Sequence, residues 1–507
     1  MRLRTFEKAC QQMDELRARN SSDDIPNYPP LVVGFNAMYV LGELNVPNGW
    51  STDKKWLDNL FTIFNARKNS DTVWGATSYS HLLELIGDWH DITVLSWLFN
   101  ASYVHGQHIE CMKLEDIPTD TNYIYPIRIY GRGHVNIEAD IGGTVYIPEK
   151  VKKDCQAGKC KILFNEVFEG HGGNLFEYKT MFLKVIADNG LQPKHIGFID
   201  GNILTTVEQA TYDTKGFHCM HFETLSALHV NWSPTAPEIE SLIERNAIGI
   251  ITGIAKGPLY QHSSTVQLKI LKNQKKKPYR FINLNRRIRE HRTIITSEIF
   301  NNHSHNTLWS YTEPRAGECD EQGMFWEESP GDDRHGHVKH PQGTLPTPEY
   351  VDSLPKIIDI DSDVNDVQVC DELQSQAYIN IVSETTFYRD SIFLSEKIFK
   401  PIIHGQPFVV VGSPGSLRLL HTHGYKTFSP YICEDYDNEP DDNKRMQMII
   451  DELRRLSALP EDVFLDQIQL MHEICVYNMQ NFKLRFKKMS SYSNSIAEIT
   501  KWATSND

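Results

Sequence analysis

The run Pro-Phe-Val-Val-Val-Gly at 407–412 narrows the possible folds more than any other stretch of the chain. It is apolar without alternation, and the turn Ser413-Pro-Gly415 follows at once. A strand that is apolar on both faces belongs in a covered, parallel sheet. Parallel strands need a long crossover between them, usually a helix. The flanking sequence supplies both. YINIVSET (378–385) reads as the preceding strand. Residues 395–404 read as a helix with Ser395 as N-cap, Pro401 inside it or at its end, and Gly405 stopping it. SLRLLHTHG (416–424) is the next helix. Residues 383–428 are thus strand, helix, strand, helix.

Ligands of open parallel sheets lie beyond the carboxyl ends of the strands. Ser383-Glu384-Thr385 ends one strand, Gly412-Ser413-Pro-Gly415 ends the next, and Glu396-Lys397 opens the helix between them. A nucleoside diphosphate needs a cation for its pyrophosphate and a carboxylate for its ribose hydroxyls. Lys397 suits the first task and Glu396 the second. In isolation the same pair reads as an exposed helix ion pair.

A second crossover lies upstream. Residues 269–292 hold ten Lys or Arg against one acid, Glu290. Within them FINLN (281–285) reads as a buried strand, Arg286-Arg287 stand at its carboxyl end, and a helix begins near Ile288. Arg286, Arg287 and Arg292 at a strand end beside a helix start suit a pyrophosphate, or else form a solvated basic turn. Lys275, Lys276 and Lys277 read as solvated.

The first half of the chain is less legible. KILFNE (161–166), a helix from 176 capped by Asn174 and ended by Gly190, and HIGFIDGN (195–202) form a strand-helix-strand unit of a parallel sheet. His171 among glycines 170, 172 and 173 reads either as a plain turn or as a loop close to phosphate. Residues 31–41, 92–99 and 144–148 are further strand candidates. Residues 237–246 suggest a helix, and 247–255 form an apolar run. Phe6, Cys10, Met13 and Leu16 give an amphipathic helix over 1–20, while 442–486 and the tail are helical.

With 507 residues, two to four domains are expected. The first thirty residues lack the apolar core of a secretory signal, and no run is long enough to cross a bilayer. The expectation is a cytoplasmic protein with no membrane partner. Nine scattered cysteines read as free thiols. A formal charge of −15 argues against a surface that coats nucleic acid, though not against a local basic groove. Residues 312–370 carry fourteen acids, four bases and six prolines. They read as a mobile surface insertion, and His335, His337 and His340 within them lack the further ligands of a metal site.

Taken together, Ser383-Glu384-Thr385, Ser395-Glu396-Lys397, Lys400-Pro401, PFVVVG and Ser413-Pro-Gly415 resemble the donor-binding motif of the alpha-1,3-fucosyltransferases and related proteins of phages and large viruses. NLNRRIREHR is similar to an element that opens the C-terminal lobe of the phage proteins. The resemblance covers about 280–485. It implies an α/β protein of the GT-B fold: two Rossmann-like lobes with parallel sheets facing across a cleft, and C-terminal helices packing back. On that plan 1–30 is an N-terminal extension and 31–265 the acceptor lobe. Residues 266–485 are the nucleotide-sugar lobe carrying the 312–370 insertion, and 486–507 are a tail helix.

The resemblance further implies an inverting transfer without metal or cofactor, from a UDP- or GDP-linked sugar to a hydroxyl. Glu396 would bind ribose, Lys397 phosphate, and Arg286 or Arg287 the pyrophosphate, with Arg292, Glu384, Ser395, Gly412, Ser413 and Gly415 completing the donor site. The catalytic base would be a carboxylate of the first lobe, with Glu166 and Glu169 best placed and Asp200 next. The acceptor would be a glycan, a protein or modified DNA. One alternative is a phage-type enzyme that glycosylates a hydroxymethyl-pyrimidine, favoured by the basic run. Another is a nucleotide-binding protein without activity.

Overall fold

The computed structural model describes residues 8, 10, 11, 13–15, 31–35, 109–128, 147–166, 175–203, 217–221, 276–285, 288–312, 338–358, 371–388, 392–488 and 498–505. The chain divides into two compact units, each an α/β unit built on a parallel sheet. One gathers Arg19–Leu242 with Phe486–Asp507, and the other Gly257–Arg485 with Met1–Ala18. Short pieces of 243–256 are shared between them.

In the first unit, β1 (Leu31–Phe35), β2 (Ile109–Lys113), β3 (Tyr123–Arg128), β4 (Cys160–Glu166), β5 (Ile196–Asp200) and β6 (His218–His221) form one sheet. All neighbours are parallel, in the order β2-β1-β3-β4-β5-β6. The order reverses between β1 and β3, so the topological switch point lies there. Helix α1 (Glu149–Gln156) leads into β4. It ends where Gly158 adopts φ 74°, and the Lys159 and Gly158 amides reach back to the Asp154 and Cys155 carbonyls. That is a left-handed cap only glycine takes without strain. Helix α2 (Leu175–Asn189) connects β4 to β5. It is anchored by Phe182, whose ring lies 4.8 Å from Phe164, 5.6 Å from Phe198 and 5.5 Å from Phe217.

A helix over 498–504 completes this unit. Trp502 lies against Gly197 of β5 so closely that a Cβ there would sit 2.4 Å from the indole. His218 stacks on the same indole at 5.7 Å. The buried Lys161 ammonium donates to the Trp502 carbonyl at 2.6 Å and the Ser505 hydroxyl at 2.7 Å. A cation on the last carbonyls of a helix offsets their partial negative charge.

The second sheet holds β7 (Tyr279–Leu284), β8 (Thr307–Ser310), β9 (Ala377–Ser383) and β10 (Phe408–Val411) in the order β10-β9-β7-β8, all parallel. Relative to chain order this is again second, first, third, fourth, and the switch point falls between β7 and β9. All four β10 residues are buried, as their apolarity demands, yet β10 lies at the edge of the described sheet. Its outward Val410 amide donates to the Tyr436 hydroxyl at 3.3 Å, so the turn Asp435–Asn438 blocks the edge.

Helix α3 (Glu290–Glu298) follows β7 and runs on as a π-helical turn, Ile299–His303. The wider turn places residues five apart on one face. His303 Nε2 thereby meets Glu298 Oε1 at 2.9 Å, and Arg454 grips the same carboxylate at 2.9 and 2.8 Å. Burial pushes the Glu298 carboxyl up, but these hydrogen bonds outweigh it and hold the group below its usual range. Helices α4 (Pro348–Asp352), α5 (Phe399–His404), α6 (Ser416–Thr422), α7 (Asp442–Ala458) and α8 (Glu461–Lys488), with a single helical turn Asp371–Gln374 before β9, belong to the same unit.

Three expectations are corrected. Ile147 and Pro148 are not strand: Pro148 is the N-cap of α1, a role its fixed φ suits, and 144–146 lie outside the described residues. The 338–358 end of the expected insertion is packed, not a loose loop. Thr347 caps α4, the buried Tyr350 hydroxyl meets Thr296 Oγ1 of α3 at 2.7 Å, and His340 Nδ1 bonds the Thr344 carbonyl at 2.9 Å. Acid-rich composition hid a few apolar anchors, Val338 and Tyr350 among them. His335 and His337, the strand candidate at 92–99, the helix at 237–246, the apolar run at 247–255 and the loop around His171 lie outside the described residues. No described helix is long and apolar enough to cross a membrane.

Lys277 is also not solvated. It is buried before β7 and donates to the Ala377 carbonyl at 2.8 Å. Burial brings its ammonium down to about 8. Between that pH and about 10.4 the unfolded chain holds a proton that the folded chain has lost. Stability from this residue therefore rises with pH across that window, by up to about 1.4 kcal/mol per unit. Lys277→Met is expected to be most favourable relative to the native chain below pH 8, and its advantage should shrink by pH 9.5 in urea unfolding. A pH-independent difference would contradict this.

Candidate functional site at the switch point of the second sheet

The carboxyl ends of β7 and β9 are neighbours, and polar side chains converge there from an otherwise apolar sheet. Asn283, fully buried in β7, donates to the Ile381 carbonyl at 2.7 Å and to Ser383 Oγ at 3.1 Å. Asn285 Nδ2 donates to Asn283 Oδ1 at 2.6 Å. A buried amide persists in a sheet core only when it is bonded in this way.

Glu384, next after β9, is fully buried. Its main-chain carbonyl accepts from Arg292 Nη2 at 3.0 Å and lies 3.0 Å from His291 Nε2. Burial first, and then Arg292, Arg289 and Arg445, hold His291 well below its usual value. It is therefore neutral, and a carbonyl partner fixes the proton on Nε2. The Glu384 carboxylate accepts from the Ser395 hydroxyl at 2.6 Å and amide at 3.1 Å. Lys397 is half-buried and donates to Thr385 Oγ1 and Ser395 Oγ, each at 3.2 Å. Ser395 also accepts from the Lys397 amide at 3.4 Å, capping the turn Glu396–Ile398. Pro401 falls in the first turn of α5, where its missing N–H costs nothing. Gly405, at φ 61°, ends that helix.

The exit of β10 completes the edge. A Cβ on Gly412 would lie 3.0 Å from Ser416 Oγ and 3.2 Å from Val410 Cγ1, so glycine permits the tight turn from β10 into α6. Ser413 Oγ lies 3.3 Å from Thr386 Oγ1. Gly415 takes φ 82° as the N-cap of α6. The opening amides of α6 are occupied: Asp437 accepts from Leu417 N at 2.8 Å and Arg418 N at 3.0 Å. Burial raises the Asp437 carboxyl to about 6 despite those two amides.

The expected donor residues Glu384, Ser395, Gly412, Ser413 and Gly415, with Lys397 in the turn before α5 and Arg292 in the first turn of α3, thus lie at the carboxyl edge of one sheet. Glu396 opens the turn before α5, and its side chain lies outside the described residues, as do Arg286 and Arg287 entirely. In the first unit, Glu166 and Asp200 are the last residues of β4 and β5 and are paired in register. Their side chains, and the whole of Glu169, lie outside the described residues. The sequence reading missed Thr385 as an acceptor for Lys397, and it missed His291 and Asp437. The two asparagines of FINLN were the available signal, because polar residues inside a buried strand need partners.

Several members of the basic run serve the fold. Arg280 donates to the Leu456 and Ser457 carbonyls at 3.0 Å each and lies over Phe464 at 4.6 Å, while Lys276 pairs with Glu461. Lys277 and Arg292 are buried. Among the described residues no three His, Cys, Asp or Glu side chains converge as metal ligands. No family model, curated protein or solved structure matches this chain.

Proposed function

We propose that this chain is a GT-B glycosyltransferase that takes a nucleoside-diphosphate sugar and transfers the sugar to a hydroxyl acceptor. The observation that carries the reading is the position of Lys397, Arg292 and Glu384 at the switch point between β7 and β9, the crevice where open α/β sheets bind ligands. In an inverting transfer, a carboxylate takes the acceptor proton as the hydroxyl oxygen bonds to the anomeric carbon. The bond from that carbon to the diphosphate oxygen breaks, and the nucleoside diphosphate leaves with the electron pair. Charge develops on the diphosphate, and a fixed ammonium stabilises it more in the transition state than in the ground state. Lys397 is assigned that task. Glu166, Glu169 and Asp200 are the candidates for the base.

A panel of UDP- and GDP-sugars tests the reading by thermal shift, and slow donor hydrolysis tests for turnover. Lys397→Ala is expected to weaken nucleotide diphosphate binding about tenfold or more, the cost of one charge-assisted hydrogen bond. If no nucleotide moves the melting temperature of the native chain, the reading is wrong. Binding without hydrolysis or transfer would favour a nucleotide-binding protein without activity. Parallel assays with oligosaccharides and with hydroxymethylated duplex DNA identify the acceptor class.

A further inference from the structure

We propose that Glu384 is a positioning residue that sets two cations of the site, Arg292 and Lys397, from the two ends of one residue. The inference rests on the reading of this edge as an anion site. The main-chain end acts on Arg292, whose Nη2 is held at 3.0 Å by the Glu384 carbonyl. The side-chain end acts on Lys397 through Ser395.

A hydroxyl has a single proton. Ser395 places it on the Glu384 carboxylate, at 2.6 Å the shortest contact in the cluster. The lone pairs of Ser395 Oγ are then left for Lys397, and both the ammonium at 3.2 Å and the amide at 3.4 Å use them. A buried acceptor at position 384 thereby dictates the polarity of Ser395, and that polarity docks Lys397. The same carboxylate accepts from the Ser395 and Thr385 amides at 3.1 and 3.4 Å, which holds both hydroxyl-bearing residues in place. Glu384 is fully buried, and its part is to support the groups that would touch a ligand. An acceptor oxygen, not the negative charge itself, is the requirement.

The test compares Ser395→Ala, Glu384→Leu and Glu384→Gln in the full chain. The first readout is the acetylation rate of Lys397 relative to the other lysines, followed by peptide mass spectrometry. The second is affinity for inorganic pyrophosphate by calorimetry. Ser395→Ala and Glu384→Leu are expected to raise Lys397 acetylation several-fold and weaken pyrophosphate binding about tenfold. Glu384→Gln keeps an acceptor and should restore both values close to native. Unchanged Lys397 acetylation in Ser395→Ala overturns the proposal, even if Glu384→Leu fails to fold. A Glu384→Gln variant as disturbed as Glu384→Leu overturns the claim that an acceptor suffices. If the native chain binds neither pyrophosphate nor nucleotide, the anion reading falls, while the acetylation rates still decide whether Glu384 positions Lys397.

Discussion

Arg445→Met is expected to destabilise the second unit by about 3–5 kcal/mol, the usual cost of removing one partner from a buried charged network. In thermal unfolding this corresponds to a fall of roughly 10 °C for a unit of this size. The guanidinium is fully buried and is bonded on every side. It donates to the Gly412 carbonyl at 3.2 Å, the Glu439 carbonyl at 2.9 Å, the Phe387 carbonyl and the Asp442 carboxylate at 2.7 Å. It also lies 4.3 Å from the centre of the Phe387 ring. Methionine fills much of the volume but leaves three carbonyls and a carboxylate without this donor. Phe387 follows β9 and Gly412 follows β10, so the arginine ties together the two loops that carry the site. Nucleotide affinity should therefore fall along with stability. A loss below about 1 kcal/mol would show that water replaces the guanidinium at these carbonyls.

Trp502→Ala should cost the first unit about 3–5 kcal/mol, as for other large buried aromatics. The indole is 6% exposed, seated on Gly197, stacked by His218 and bordered by Lys161 at 5.3 Å. Gly197→Ala attacks the same contact from the sheet side and is expected to cost about 1–3 kcal/mol by overpacking. The two effects cannot add. Once the indole is gone, an alanine methyl at 197 has room, so its cost should vanish in the double variant. Additive losses in denaturant unfolding would mean that the two residues act through separate contacts.

The parallel-sheet character of the second unit was legible because β10 and β9 are apolar on both faces and their crossover is punctuated by Ser395 and Gly405. Their carboxyl ends then located the candidate site, since polar residues there had no role in the sheet core. The order of the strands was not legible. Only pairing brings FINLN beside YINIVSET, across nearly a hundred residues, and creates the switch point. β2, β3, β6 and β8 were missed: β2, β6 and β8 are four or five residues of mixed polarity and give too little period, and β3 carries Pro126, which demotes a run as a strand. The acid-rich stretch before β9 was misjudged because composition outweighed its few anchors. Asp437 and Arg445 were invisible for another reason: each acts on backbone groups far away in sequence.

The docking of Trp502 also orders events during synthesis. A domain usually folds as its chain emerges, the N-terminal one first. Here β4, β5 and β6 leave the ribosome some three hundred residues before the helix that covers Lys161, His218 and Gly197. Until residue 502 is free, that face of the first sheet stays open. The second unit, whose last element α8 ends at Lys488, can finish before the first does. Among the described residues, that face of the first sheet is thus the last to be covered during synthesis.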